Sequence, residues 1–279
     1  DLVLHECVPG VPLTVADNLI RTGCEDGSPS NVDSDGVTNG SEALYELLGT
    51  VVTSPVNFGV PCHRRRRYSC WRRLAARDSS ASAVGTASAH IPGFNSGSMA
   101  EMFYKKLVAS SKIFLVADAE QVSRYYKKRA ADRSIPPQPL LEVLDLVPAC
   151  ARAHLEAWDA ILASGTETSA DIVCVMQSPH FLRPQSIEAL PALLTSSLMY
   201  SLSARRLLLP EELMLAMGLH IQLGGNNIPD GDGGAMQTFE LPLAERLREY
   251  EVMRLLGNGM HVSQVGSALL LLLCEALRR

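Results

Sequence analysis

Four consecutive arginines, residues 64–67 of the segment FGVPCHRRRRYSCW, most narrowly constrain how this chain can fold. Guanidinium groups are rarely buried without partners, so these side chains must lie on a surface or hold something. On an extended strand Arg64 and Arg66 project to one face, whereas Arg65 and Arg67 project to the other. The pattern therefore predicts a strand that is either a solvated basic surface or a place where two arginines hold a polar or anionic ligand.

The composition is that of a globular protein, because 47% of the 279 residues are hydrophobic and 20% are charged. The longest apolar run, residues 268–274, is far shorter than the ~20 residues of a membrane helix, and no basic-then-apolar signal opens the chain. The seven cysteines are scattered without a C-x-x-C pair. We expect a soluble chain in a reducing intracellular compartment, with no membrane association and no metal site.

The net charge of -5 conceals an uneven distribution. Residues 1–61 contain nine acids and one base, residues 63–133 contain fifteen bases and five acids, and residues 134–279 contain nine bases and sixteen acids. A basic central block between acidic flanks suits contact with a polyanion such as nucleic acid. A solvated surface explains the same charges, so charge alone leaves both interpretations open.

Short strand and helix patterns alternate in the first seventy residues, which is typical of α/β folds. LVLHE and TVVTSP read as strands, ALYELLG reads as a helix closed by Gly49, and the Gly-, Ser- and Asp-rich residues 23–41 read as a loop. Further along, KIFLVA predicts a strand, and Asp118 and Pro210 mark helix starts. The sequence contains no internal repeat that we can identify.

Five segments now form an ordered set: LHECVPG, FGVPCHRRRRYSC, LPALLTSS, RLLLPEELMLAMGL and LLGNGMHVSQVGSALL. The second resembles the FGVPQ-x-R-x-R-V-F segment of the cytosine-5 DNA methyltransferases, and the first resembles their ENV segment. The others are similar to the family's LPTLT, R-x-L-T-P-x-E-x-x-x-x-x-G-F and G-N-x-V motifs. The segment RLLLPEELMLAMGL matches its family motif at five positions, namely Arg206, Leu208, Pro210, Glu212 and Gly218.

The resemblance implies an α/β fold, namely part of a Rossmann-type S-adenosylmethionine-dependent methyltransferase domain with an inserted α+β target-recognition region. Residues 1–77 would then be the C-terminal part of the catalytic domain. Residues 78–200 would be the recognition region, and residues 201–279 would return to the catalytic domain. The implied activity is transfer of a methyl group from S-adenosylmethionine to cytosine C5 in DNA, which also implies a nuclear location.

The resemblance assigns catalytic positions to Glu6, Arg64 and Arg66. In this family a cysteine thiolate attacks C6 and a glutamate protonates or hydrogen-bonds N3, so Glu6 would hold a proton in a buried site. The two arginines would grip a carboxylate, a phosphate or the O2 edge of a flipped base. Without the resemblance, Glu6 reads as an ordinary strand-end acid and the arginines as a basic surface strand.

Two further groups of residues complete the expected site. Gly257 and Asn258 match the family segment that helps to line the cofactor pocket, and with Gly259 they are the expected cofactor-binding residues. The alternative is a helix-capping turn that binds no ligand. The expected DNA contacts are the remaining arginines of the run and a basic helix cluster, namely Arg65, Arg67, Lys127, Lys128 and Arg129. For that cluster the competing interpretation is a half-buried helix. Arg206 and Glu212 read as structural residues.

The sequence also departs from the family pattern. Cys62 stands at the glutamine position and Cys7 at the asparagine position, and no Pro-Cys-Gln nucleophile loop or main cofactor loop is present. We therefore expect a fragment that is inactive as this isolated chain and that pairs with a missing N-terminal half or another chain. Two other hypotheses remain open: a catalytically dead DNA-binding relative, and an interaction module that buries apolar faces against a partner.

Overall fold

The structure is a computed structural model that describes residues 2–9, 45–73, 94–136, 138, 141–165, 171–179, 189–219 and 248–277. The loop predicted at residues 23–41 lies outside these ranges. The chain divides into two compact units, one comprising Asp1–Ser54, Arg65–Tyr104 and Gln264–Arg279, and the other comprising Pro55–Arg64 and Lys105–Ser263. The three-segment division expected from the sequence stays a prediction.

The first unit is built on an antiparallel sheet of order β1-β3-β2. Its strands are β1 (Leu2–Cys7), β2 (Tyr45–Thr53) and β3 (Arg66–Arg73). Helix α1 (Ser96–Phe103) follows Asn95, whose side chain accepts a hydrogen bond from the backbone N–H of Ser98. The core of this unit is rich in large side chains that are fully buried, including Leu48, Tyr68, Trp71, Phe94 and Met99.

The helix predicted for ALYELLG is wrong, because the described part of that segment is the beginning of β2. Pairing with β3 continues from Tyr45 to Thr53, with a register irregularity between Leu47 and Gly49. This irregularity is a β-bulge, which lets a segment with helix-like apolar spacing pair as a strand. Burial against β3 then outweighs the local helix propensity. Gly49 does not cap a helix; a Cβ there would lie 2.5 Å from the carbonyl oxygen of Phe94, so the glycine permits close packing.

The arginine run is only partly a strand. Strand β3 begins at Arg66, so Arg64 and Arg65 precede it. The prediction that Arg64 and Arg66 share one strand face is wrong for this reason. The two residues also belong to different compact units.

The second unit combines helices with a small antiparallel sheet of order β4-β5-β6. Its strands are β4 (Ile172–Cys174), β5 (Met199–Ser201) and β6 (Arg206–Leu207). The helices among its described residues are α2 (Ala119–Asp132), α3 (Val143–Leu146), α4 (Ala149–Ala163), α5 (Pro210–Ala216) and α6 (Glu249–Asn258). Helix α7 (Val262–Leu277) begins at the end of this unit and continues in the first.

The described residues of the second unit form two apolar core clusters. One packs α5 and α6 against the β4 and β5 strands and includes Ile172, Met199, Leu213, Met214 and Val252. The other packs α2, α3 and α4 against the same small sheet and includes Tyr126, Leu146, Leu155, Trp158 and Tyr200. Strands β4 and β5 are thus buried on both faces, which explains the continuous apolar sequence of β4.

Local start and stop signals place the helices of the second unit. Asp118 caps α2 in a capping box with Gln121, which confirms that predicted start. Pro210 is the first residue of α5, and Gly218 follows the helix with φ of 79°. The strand predicted for KIFLVA is wrong, because Ser111–Phe114 is a 3-10 helix. The side chains of its first and last residues are buried.

In the part of the chain that the structure describes, the fold is mixed α/β with two small sheets. Every strand pair in these sheets is antiparallel, whereas a Rossmann-type sheet is mostly parallel, so the Rossmann assignment stays a proposal. By length and hydropathy, the stretch Glu249–Cys274 could cross a membrane, although the core helix of a soluble protein meets the same criterion. In the structure this stretch comprises two helices, separated between Asn258 and Val262.

Candidate functional site

Glu6 and Arg66 form an ion pair across neighbouring strands of the first unit. The Glu6 Oε1 and Arg66 Nε atoms are 3.1 Å apart, and the side chains are only 13% and 15% exposed. In the β1-β3 register Glu6 lies opposite Tyr68, so Arg66 is its diagonal neighbour on the same face. With so little solvent around them, the two charges stabilise each other, and removing one partner would leave the other charge poorly compensated. The structure therefore brings together two of the three predicted catalytic residues.

Two residues on the same sheet face were not among the predicted site residues. Tyr68 is fully buried opposite Glu6, and Thr53 is 2% exposed opposite Arg66 in the β2-β3 register. The Thr53 hydroxyl has no hydrogen-bond partner in the described part of the chain. Sequence alternation could have placed Tyr68 beside Arg66, but only the strand register reveals Thr53.

Arg65, which precedes β3, and Arg67, which lies within it, differ in exposure. Arg65 is exposed, as a DNA contact requires. Arg67 is half-buried, and its guanidinium donates to the carbonyl of Pro9 over 2.7 Å. Arg67 therefore supports the chain that leaves β1, which leaves Arg65 as the more available of the two predicted contacts.

Arg64 lies in the second unit and is 2% exposed. Its guanidinium donates to the carbonyls of Leu193 at 3.2 Å and Gly257 at 3.1 Å, and also to the carbonyl of Gly259. These acceptors belong to the loop after residue 190 and to the C-terminal end of α6. Arg64 thus joins two predicted site segments, but it does so as a clamp on main-chain carbonyls.

The predicted cofactor residues do not form an open cradle. A Cβ at Gly257 would lie 2.6 Å from the Leu194 carbonyl carbon, so protein backbone already fills the space beside this glycine. Asn258 is the last residue of α6 and is exposed, and it is not at a helix start. With the carbonyls of residues 257 and 259 bound to Arg64, these residues do not fit S-adenosylmethionine.

The predicted basic cluster divides in two on helix α2. Lys127 and Lys128 are exposed and have no ion pair with any described residue. Arg129 is 5% exposed, donates to the Leu146 carbonyl at 3.0 Å and pairs with Glu249. The two lysines can reach a polyanion, whereas Arg129 is a structural residue and its predicted DNA contact is wrong.

Lys127 also lines a groove of about 540 Å³ with Tyr126, Arg205 and Arg206. Arg206 forms a forked pair with the fully buried Glu212, with distances of 2.8 and 2.7 Å. The Glu212 carboxylate also accepts from the backbone N–H groups of Ala117 and Leu209, both at 2.9 Å. These bonds explain the spacing of the RLLLPEE segment, because they fix the start of α5.

His261 is a buried group that the sequence did not single out. One ring nitrogen, Nε2, lies 3.0 Å from the Ala216 carbonyl, and Nδ1 lies 2.9 Å from the Ser263 hydroxyl. Burial lowers the pKa of His261 to about 4, and the positive charge of Arg64 acts in the same direction. The neutral ring therefore ties α5 to the beginning of α7.

Cys62, the cysteine of the Pro-Cys pair, is a poor nucleophile. Cys62 is fully buried, and burial raises the pKa of its thiol to about 12. Among the residues that the structure describes, no group of three or more His, Cys, Asp or Glu side chains could hold a metal ion.

No family model matches this chain, and no curated protein matches it.

Proposed function

We propose that this chain is the C-terminal portion of a cytosine-5 DNA methyltransferase and that its Glu6–Arg66 pair receives a cytosine extruded from DNA. The observation that carries the proposal is the ion pair itself, with its 3.1 Å separation and low exposure. A carboxyl group and a guanidinium on one sheet face are the two groups that the resemblance assigns to the base. The proposal includes DNA as substrate and a nuclear location.

The two side chains complement the Watson–Crick edge of cytosine. In cytosine the C4 amino group donates, and N3 and O2 accept. A Glu6 carboxyl group that takes up a proton when the base binds can accept from the amino group and donate its O–H to N3, while the Arg66 guanidinium donates to O2. The bound base would replace the contact that Glu6 and Arg66 make with each other. Thr53, whose hydroxyl lies on the same face, offers a further donor or acceptor.

Exposed cations supply the sequence-independent part of the proposed DNA binding. Arg65, Lys127 and Lys128 are exposed and can contact phosphates. S-adenosylmethionine would be the methyl donor in the family that the chain resembles. Because residues 257–259 do not fit this cofactor, the proposal assigns to this chain the contact with the base and no step of methyl transfer.

One observation favours a second candidate, a DNA-binding relative that performs no chemistry. Cys62, in the Pro-Cys pair of the arginine segment, is fully buried with its thiol pKa raised to about 12. Such a thiol is neutral at physiological pH, so the Pro-Cys pair of this sequence cannot take the place of the absent nucleophile loop. The same basic surface would then bind DNA without discriminating cytosine.

The test compares affinity for two duplexes that differ in one bulged base, cytosine or thymine. The bulge removes most of the cost of extrusion, so the affinity ratio reports base contacts. We expect the chain to prefer the cytosine bulge by about 10-fold, because a good base contact contributes about 1–3 kcal/mol. The double variant Glu6→Leu/Arg66→Met, which leaves no unpaired buried charge, should lose the preference. Fluorescence anisotropy measures both affinities.

Arg65→Met is the matched control, since it removes an exposed neighbouring guanidinium. It should weaken binding to both duplexes while preserving their ratio. Equal affinity of the wild-type chain for both duplexes would support the relative without chemistry. Absence of DNA binding at low salt would contradict both candidates and favour an interaction module.

A further inference from the structure

The groove of about 540 Å³ beside helix α2, here called the α2 groove, has a wall of two kinds. One part is apolar and is formed by Val122, Leu141 and several alanines. Lys127, Arg205 and Arg206 also line the groove, whereas no acidic side chain is among the described residues of the wall. A volume of this size suits a small organic ligand. The wall therefore favours a molecule that combines an anionic group with an apolar body.

Arg205 is held in a backbone conformation that arginine rarely adopts. It is the last residue of the turn between β5 and β6, residues 202–205, and its φ is 53°. Glycine occupies this left-handed region without steric cost, whereas a residue with a Cβ is strained there. Strained residues persist where the surroundings impose them, and they gather at ligand sites. The side chain of Arg205, which lines the α2 groove, explains why this position is not glycine.

A buried polar network fixes the turn that carries Arg205. Asp171, only 9% exposed, accepts from the Ser201 hydroxyl at 3.1 Å and from the Ser203 backbone N–H at 3.0 Å. The fully buried Ser201 hydroxyl in turn accepts from the Ala204 backbone N–H at 3.0 Å. Arg205 is therefore presented from a preorganised turn, which lowers the entropy that is lost when a ligand binds.

Two of the three cations in the groove are available to a ligand. Lys127 is exposed and has no ion pair with any described residue. Arg205 pairs with Asp159, but the two side chains are 57% and 50% exposed, and such exposed pairs are weak. Arg206 is committed to the buried Glu212. Lys127 and Arg205 are thus the groups that an incoming anion would contact.

We propose that the α2 groove binds a small phosphorylated organic molecule, with its phosphate between Lys127 and Arg205 and its organic part against Val122 and Leu141. A phosphate accepts forked hydrogen bonds from an arginine and attracts the point charge of a lysine. With a charge of about -1.5 to -2 at pH 7, it competes for Arg205 more strongly than the single charge of Asp159 does.

This inference does not depend on the proposed function. A backbone phosphate of DNA offers the same group to Lys127 and Arg205, so the source of the phosphate is a matter for competition. Lys128 and Arg65 remain as exposed cations for DNA when Lys127 holds a small ligand.

Isothermal titration calorimetry with phenyl phosphate tests the site, and inorganic phosphate and phenol represent the two halves of this probe. We expect phenyl phosphate to bind with a dissociation constant of about 0.1 to 1 mM. Inorganic phosphate and phenol should each bind at least about 5-fold more weakly. Equal affinity for phenyl phosphate and inorganic phosphate would overturn the organic ligand, and no binding of phenyl phosphate at about 10 mM would overturn the site.

Arg205→Gly separates ligand binding from folding. Glycine adopts a φ of 53° freely, so this variant should keep the wild-type stability in urea unfolding. Arg205→Gly and Lys127→Met should each bind phenyl phosphate at least about 10-fold more weakly. Lys112→Met is the matched control, because it removes an exposed lysine of the same unit that lies outside the groove. Wild-type affinity in both groove variants would overturn the site.

Competition with DNA identifies the source of the phosphate. A short duplex of unrelated sequence, added at a saturating concentration, should leave phenyl phosphate bound to the wild-type chain. Complete displacement of phenyl phosphate by the duplex would assign the α2 groove to the DNA backbone and overturn the small-molecule ligand.

Discussion

Neighbouring arginines of one run carry out different tasks at the residue scale. Arg64 is buried and donates to three main-chain carbonyls, whereas Arg66 pairs with Glu6. A guanidinium suits the first task because it has five donors in a fixed fork, which a lysine ammonium cannot reproduce. The positions of the partners, and not the arginines themselves, therefore determine what each one does.

His261 makes a prediction about pH. Its pKa is lowered from 6.5 to about 4 by burial, so the folded chain holds the ring neutral while the unfolded chain takes up a proton below pH 6.5. The stability that the neutral ring contributes is complete above pH 6.5 and is lost as the pH falls from 6.5 to 4. The loss should approach about 3 kcal/mol. Urea unfolding at a series of pH values measures it.

His261→Gln is the comparison variant, because glutamine can donate and accept without titrating in this range. Between pH 6.5 and pH 4 its unfolding free energy should fall by about 3 kcal/mol less than that of the wild-type chain. Equal losses in the two proteins would assign the acid sensitivity to other groups, such as carboxylates that are paired in the fold.

At the element scale, two glycines near the C-terminus have opposite surroundings. Gly257 lies within α6 against the backbone of residues 194 and 195, whereas Gly266 lies within α7 with open space around it. Gly257→Ala should therefore destabilise the chain by about 2 kcal/mol or more, because neighbouring backbone must move. Gly266→Ala should stabilise it by about 0.5–1 kcal/mol, since alanine is the better helix former.

Urea unfolding measures the effect of both substitutions on the free energy of unfolding. The pair serves as its own control, because each exchanges the same two residue types in a helix. A neutral Gly257→Ala variant would contradict the close packing of α6 against the loop that contains Leu194.

Elements with local signals could be predicted from the sequence, whereas elements fixed by distant partners could not. Asp118 and Gln121 mark the start of α2 through hydrogen bonds within one turn. Pro210 marks the start of α5 through its fixed backbone torsion. The segment ALYELLG has helix-like spacing, but β2 gains its stability from pairing with β3, about twenty residues further along. Its strand conformation therefore depends on a register that the local pattern does not contain.

The candidate site shows the same division between local and distant information. The resemblance directed attention to Glu6 and Arg66, and the structure places them 3.1 Å apart. Thr53 could not be found, because its place beside Arg66 depends on the β2-β3 register. The role of Arg64 was also hidden, because its acceptors Leu193 and Gly257 are more than a hundred residues away.

At the scale of the whole molecule, two compact units alternate along the chain, and the basic block from residue 63 to residue 133 contributes to both. The first unit holds the proposed base contacts, and the second holds the exposed lysines of α2. DNA binding should therefore weaken with salt through the exposed cations, while selectivity for cytosine should depend mainly on Glu6 and Arg66.

The most direct test of this central claim is the emission of a fluorescent cytosine analogue placed opposite guanine in a fully paired duplex. Stacking quenches the analogue, so extrusion into a protein site raises its emission. The account predicts at least about a twofold rise with the wild-type chain and no rise with Glu6→Leu/Arg66→Met at saturating protein. An unchanged emission with the wild-type chain, or an equal rise with both proteins, would contradict it.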